Sequence, residues 1–227
     1  MTKSNNGILV GATLLGVALL LYKKESDGTS APSSKSSSSS SSTGTKTTYT
    51  GNTDFIKKNL AYAKAVEKAL QVPWQVNLLI AAVESAWGKH PIGNNYHGIK
   101  ADGSWHGLIN KVKTPECVPT SAAANKLHAE IINVVAPHGS GDFAACSNKG
   151  DYTAWIYDKF RNYSSPAGSF LDFANFLHSN SRYKPAFAFT NDPKQFGSFI
   201  LLHGYSTAQY VNTFLSLLSY IEKEAAK

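Results

Sequence analysis

The chain has 227 residues, 42% of them hydrophobic, with eleven tyrosines, eleven phenylalanines and a formal net charge of +7. So many apolar and aromatic residues exclude an intrinsically disordered protein, and the length after residue 53 suits one domain with a substantial core. The basic excess is modest and dispersed, without the basic patch, stacking aromatics or zinc spacing of a nucleic-acid module, so no nucleic-acid partner is expected.

The first feature in chain order is an uncharged apolar run from Gly7 to Tyr22, flanked by Lys3 and by Lys23-Lys24. It falls a little short of the roughly 20 residues of a full span, although flanking lysines snorkel and a tyrosine suits the interface. A cleaved secretory signal is the competing reading. No convincing small-x-small cleavage site follows the run, so residues 1–24 are expected to be a single N-terminal membrane anchor with a lipid membrane as partner. Residues 25–53 are rich in Ser and Thr, including the run Ser36–Ser42. Such a stretch builds no core and reads as a flexible tether. Residues 54–227 then form the folded domain.

Beyond the tether the pattern is mainly helical. Thr53 or Asp54 offers a cap for a helix carrying Phe55, Ala63, Val66 and Leu70 on its apolar face. Pro73 opens a second helix, whose run Leu78-Leu79-Ile80-Ala81-Ala82-Val83 ends in a lone Glu84 before Ser85-Ala86-Trp87-Gly88. At helical spacing Glu84 neighbours Ile80 and Ala81 on one side and Trp87 and Gly88 on the other. A carboxyl group among hydrocarbon keeps its proton to higher pH, which is what a general acid requires. Pattern alone leaves a second reading equally open, a glutamate at the polar edge of an amphipathic helix. From Asn94 to Cys117 short runs alternate with glycine, as in loops and a small hairpin. Ser121–Val135 reads as an extra helix, and further helices are expected over Ser169–Ser179, Pro193–His203 and Tyr210–Ala226.

The chemistry-bearing residues after Glu84 come in a recognisable series. They are Asn94-Asn95-Tyr96-His97-Gly98-Ile99-Lys100-Ala101, Trp105, Thr114-Pro115-Glu116, Phe160-Arg161-Asn162-Tyr163-Ser164, Asn180-Ser181-Arg182-Tyr183 and Gly204-Tyr205-Ser206-Thr207 with Tyr210. In this order the chain resembles the glucosaminidase family of peptidoglycan hydrolases, glycoside hydrolase family 73, over nearly everything from residue 54 onward. Three departures stand out. The family's Leu-Phe pair before Gly-Ile-Lys is Tyr96-His97, the Tyr after the second glutamate is Cys117, and the Asp-Pro pair between Tyr205 and Tyr210 is missing. Between Glu116 and Phe160 the chain is also longer than the family's usual hairpin.

The resemblance implies an α+β, mainly α-helical, lysozyme-like domain with a small β-hairpin lobe beside a catalytic cleft. It implies a hydrolase that cuts β-1,4 bonds of peptidoglycan glycan strands after N-acetylglucosamine. Glu84 is then the general acid, and Glu116 activates water from the opposite face or assists attack by the substrate's own N-acetyl group. Tyr205 matches the family's active-site tyrosine. Trp87, Asn95, Tyr96, Trp105 and Tyr210 are candidate substrate-binding residues, whereas Phe160 and Arg161 are expected to hold the β-lobe to the helices. Muramidase or lytic transglycosylase activity on the same fold is an alternative, as is a wall-binding protein whose site has decayed. Such a head, held at a membrane, would face the cell wall from a bacterial envelope or from a virus particle. Cys117 and Cys146 bracket the extra segment and are a candidate disulfide in an oxidising compartment. The seven histidines show no compact metal-ligand spacing, so neither a metal nor a cofactor is expected. His97 and His106 are expected to be hydrogen-bonded surface residues near the groove.

Overall fold

A computed structural model describes residues 50–125, 127, 130–135, 152–205 and 211–227. Helix α1 spans Thr50–Leu70 and so begins before Asp54. Thr53 lies inside it and caps nothing; its hydroxyl donates instead to Glu224 Oε2 at 2.9 Å, tying the first helix to the last. Helix α2, Trp74–Glu84, is buried at every residue from Val76 onward. A helix buried on all sides belongs at the centre, and α2 packs against α1 and three later helices: α4 (Pro166–Ser179), α5 (Pro193–Ile200) and α6 (Val211–Ala225). The shared core joins Ile56, Leu78, Leu79 and Ile80 to Phe170, Phe173, Leu177, Phe196 and Phe214.

Connections in the second half are tight. A 3₁₀ segment, Ser181–Phe189, follows α4. Asp192 then caps α5, its Oδ1 accepting from the Lys194 and Gln195 amides at 3.0 Å each, with Pro193 at the first helical position. The last turn of α5 widens into a π-type turn over Leu201–Tyr205, so the regular helix stops before the expected His203.

The β-lobe is larger than a hairpin. Strands β1 (Leu108–Val118), β2 (Glu130–Val135) and β3 (Tyr152–Asn162) form an antiparallel sheet in the order β1-β3-β2. The expected helix over Ser121–Val135 is corrected: Ser121–Ala124 forms one short helix, α3, capped by Thr120 Oγ1 accepting from the Ala123 amide at 3.1 Å. After it, strand β2, with β-branched Ile131, Ile132, Val134 and Val135, pairs with β3 through a register shift between Ile131 and Asn133. Propensity favoured a helix at the alanines, and β-branched side chains beside a waiting strand decided the rest. A second, smaller core of Val118, Ala124, Ala154 and Ile156 lies on one face of this sheet.

The expected membrane-anchored localisation, with the membrane as partner, does not stand. Among the described residues no helix is long and apolar enough to cross a membrane. Crossing takes about 20 apolar residues; α1 has 21 residues but carries Asp54, Lys57, Lys58, Lys64, Glu67 and Lys68, and the apolar α2 has 11. The apolar run within residues 1–24, and most of the expected tether, lie outside the described residues.

Candidate active site

Glu84 is the last residue of α2, and it is 3% exposed. The chain must leave the helix immediately beyond it without exposing the core, and Ser85 arranges this. Its hydroxyl donates to the Ala81 carbonyl at 2.6 Å and accepts from the Gly88 amide at 2.9 Å. Ala86, Trp87 and Gly88 then follow in left-handed conformations, with φ of 50°, 58° and 76°. For Ala86 and Trp87 that geometry costs about 1 kcal/mol or more each. At Gly88 a Cβ would sit 2.9 Å from the Phe55 ring, so glycine is needed on both counts. The turn brings the Trp87 ring edge-on to Phe55 and Tyr220, at 6.1 and 6.0 Å between centroids. Trp87 therefore packs against the helical core while remaining half-buried.

Residues 95–101 run from this helical core to the sheet. Asn95, expected to bind substrate, is buried, and its side-chain amide donates to the carbonyls of Ile99 and Arg161 at 2.9 Å each while its oxygen accepts from the Ile99 amide. Its polar atoms are spent on shaping the backbone. Tyr96 is half-buried with its ring against Phe55 at 5.8 Å, and its amide donates to Ser169 Oγ. The expectation for His97 is corrected: the imidazole is fully buried and stacked on Phe173 at 4.5 Å. Its Nε2–H points at the Asn77 carbonyl and side-chain oxygens, at 3.1 and 2.8 Å, and Nδ1 accepts from the Ser169 hydroxyl at 2.8 Å. Burial pulls its pKa down to about 3, against a smaller opposing effect of the Asn77 backbone, so it is a neutral core residue.

Tyr205 is fully enclosed as well, and its hydroxyl donates to the His97 carbonyl at 2.9 Å. Burial, followed by the nearby charge of Glu84, pushes the phenol well above its ordinary pKa. In this arrangement the hydroxyl supports the backbone of the 95–101 segment. Tyr210 and Ser206–Gln209 lie outside the described residues.

On the sheet, Glu116 pairs with Ala154 of β3. Strand alternation puts Glu116 and Asp158 on one face, and Lys100 reaches across to both. Its Nζ is 2.7 Å from Glu116 Oε1 and 2.7 Å from Asp158 Oδ2, with all three side chains largely buried. Burial alone would lower the Lys100 pKa, but the two carboxylates outweigh it and hold the ammonium above its ordinary range. Cys117, next along β1, is disulfide-bonded, and Cys146 lies outside the described residues. Sequence reasoning had Lys100 within a motif yet gave it no role, and it missed Asp158; the β3 alternation was the available signal.

At the other end of β3, Arg161 crosses to helix α4. Its Nη1 donates to both Asp172 oxygens, at 3.2 and 3.0 Å, and the Tyr163 hydroxyl donates to the same carboxylate at 2.7 Å. Trp105 lies over the Arg161 guanidinium at 4.8 Å, and its indole N–H donates to the Leu108 carbonyl. The structure thus places Glu84 and Glu116 on separate layers. One ends the central helix, the other lies on the sheet, and residues 95–101 link the two.

The family model described as mannosyl-glycoprotein endo-beta-N-acetylglucosaminidase matches residues 60–223. Peptidoglycan hydrolase FlgJ of Vibrio parahaemolyticus is 29% identical over 175 residues, 74% of this chain and 47% of that protein. The chain spans less than half the length of such curated relatives. Among solved structures, a glycoside hydrolase domain from Salmonella typhimurium FlgJ superposes with a TM-score of 0.52 at 23% identity, covering 76% of this chain and 98% of that one. The catalytic domain of the autolysin Auto from Listeria monocytogenes gives 0.53 at 23% identity, covering 81% and 90%.

Proposed function

The chain belongs to the glucosaminidase family, and from that premise we propose that it hydrolyses peptidoglycan, cutting the glycan strand after N-acetylglucosamine. The observation that carries this reading is Glu84, a carboxyl group only 3% exposed at the end of the apolar run Leu78–Val83, inside the segment matched by the family model. The relatives named as peptidoglycan hydrolases support the substrate class.

In this mechanism the Glu84 carboxyl passes its proton to the glycosidic oxygen as the bond to the anomeric carbon breaks. Glu116 takes a proton from the water that attacks from the opposite face, or steadies the substrate's N-acetyl group when that group attacks first. Asn95 and Tyr205 act indirectly, by fixing the segment that joins the two layers. Trp105, laid over Arg161 at the edge of the sheet, is the candidate surface for a sugar ring.

Mass spectrometry of digested peptidoglycan tests the reading. Fragments with reducing-end N-acetylglucosamine are expected. Reducing-end N-acetylmuramic acid would make the protein a muramidase, and anhydro ends a lytic transglycosylase.

A further inference from the structure

We propose that Lys100 is a positioning residue for the second carboxylate, acting through Glu116 and itself held by Asp158. The inference rests on Glu116 serving the hydrolysis proposed above. Three observations carry it.

First, the geometry is that of a clamp. One ammonium lies 2.7 Å from each of two carboxylates. A lysine with three donors and a long flexible stem loses much freedom when fixed this way, and two opposed anchors hold it where one would leave it swinging.

Second, the clamp is largely shielded from water. Side-chain exposures are 16% for Lys100, 7% for Glu116 and 15% for Asp158. An ion pair shielded from solvent keeps its strength and its direction, unlike an exposed one. Asp158 and Glu116 would repel each other on one face without the cation between them.

Third, the Lys100 backbone is braced from both layers. It bridges to Phe160, and its neighbours bond β3 through Ala101 N to Lys159 O at 2.8 Å and Arg161 N to Ile99 O at 3.0 Å. Three residues earlier, the His97 carbonyl receives the Tyr205 hydroxyl from the helical layer. Ile99 is packed into the same core as α2, the helix that ends in Glu84. Lys100 is therefore the point where the helical layer sets the place of a carboxylate on the sheet. Its effect belongs on turnover, because a misplaced catalytic group costs rate far more than it costs binding.

A double-mutant cycle on the full chain tests this, with kcat and KM measured on solubilised glycan strands for K100M, E116Q and K100M/E116Q. K100M is expected to lower kcat about 100-fold with KM little changed. K100R, which keeps the charge, should retain more turnover than K100M. In the E116Q background K100M should add no further loss, since a residue acting only through Glu116 has nothing left to act on. The same loss in both backgrounds would overturn the proposal, as would K100M turning over like the parent or E116Q leaving turnover intact. Because K100M leaves two buried carboxylates facing each other, K100M/D158N removes one charge of each sign and carries the same comparison if the single variant does not fold. The product analysis stands apart. Fragments ending in N-acetylglucosamine with an additive cycle sink the Lys100 inference alone. Other ends sink the cleavage-site reading, while the cycle still reports on Lys100.

Discussion

Glu84 and His97 are both buried, and each yields a measurable expectation. Glu84→Gln keeps the shape of the side chain and removes the transferable proton, so turnover should fall by at least about 100-fold with folding intact. Near-normal rates in a folded variant would remove Glu84 from the chemistry. For His97, burial lowers the pKa from 6.5 to about 3. Between those values the unfolded chain binds a proton that the folded chain does not, so stability rises with pH across the window. The contribution is complete above pH 6.5 and is lost as the pH falls toward 3, with a slope of at most about 1.4 kcal/mol per pH unit. Asp102, Asp192 and Glu224, held below their ordinary values of 3.8, 3.8 and 4.5, lose their contributions only at more acid pH. Denaturant unfolding between pH 5 and 7, compared between the parent and His97→Phe, therefore reads the histidine's share of that slope. His97→Phe should flatten that slope, while costing about 1–3 kcal/mol at pH 7 because Asn77 and Ser169 lose their partner. An unchanged slope in the variant would rule out His97 as its source.

Elements here are placed by close approaches as much as by apolar stripes. Helices α5 and α6 meet at Gly197, where a Cβ would fall 2.1 Å from the Phe214 ring, which is fully buried. Gly197→Ala must push that ring aside, at a cost of about 1–3 kcal/mol, and should lower the melting temperature by several degrees. The comparison is Gly51→Ala in the first turn of α1, with nothing within 4 Å of the added atom. That change should be neutral or stabilise by up to about 1 kcal/mol. Equal melting shifts for the two would show that the α5–α6 contact is looser than described. The sheet follows another rule: β1 and β2 both pair with β3, so the alternation of β3 decides which side chains of the lobe face inward.

At the scale of the molecule, a helical body and a sheet lobe are held together by a few directed links: Arg161 with Asp172, Asn95 with Arg161, and residues 99–101 with β3. Cys117 is disulfide-bonded, and the chain's one other cysteine is Cys146. We expect a bridge between them, closing a loop of about 30 residues and contributing roughly 3–4 kcal/mol by the chain-entropy account. Reduction should then lower the melting temperature, and it should lower activity too, because Glu116 adjoins the bridge. Thiol labelling of the unreduced, denatured protein decides the matter, and two reactive thiols per chain would exclude the bridge.

The sequence by itself determined the features that local pattern encodes. The unbroken apolar run of α2 marked the central helix and the lone glutamate at its end. The ordered motifs marked the family, and the alternation of helical segments marked the mainly helical class. Tertiary structure alone decided which polar atoms serve the backbone. Asn95 read as a substrate contact and Tyr205 as an active-site tyrosine, and their hydrogen bonds run to Arg161 and to His97, partners 66 and 108 residues away. His97 read as a surface residue because nothing nearby in sequence announces Asn77 and Ser169 as its partners. Lys100 had no visible role until strand pairing set Glu116 and Asp158 on one face. Hydrophobic periodicity is written within a few residues of chain, whereas a polar group's function depends on what folding brings to it from elsewhere.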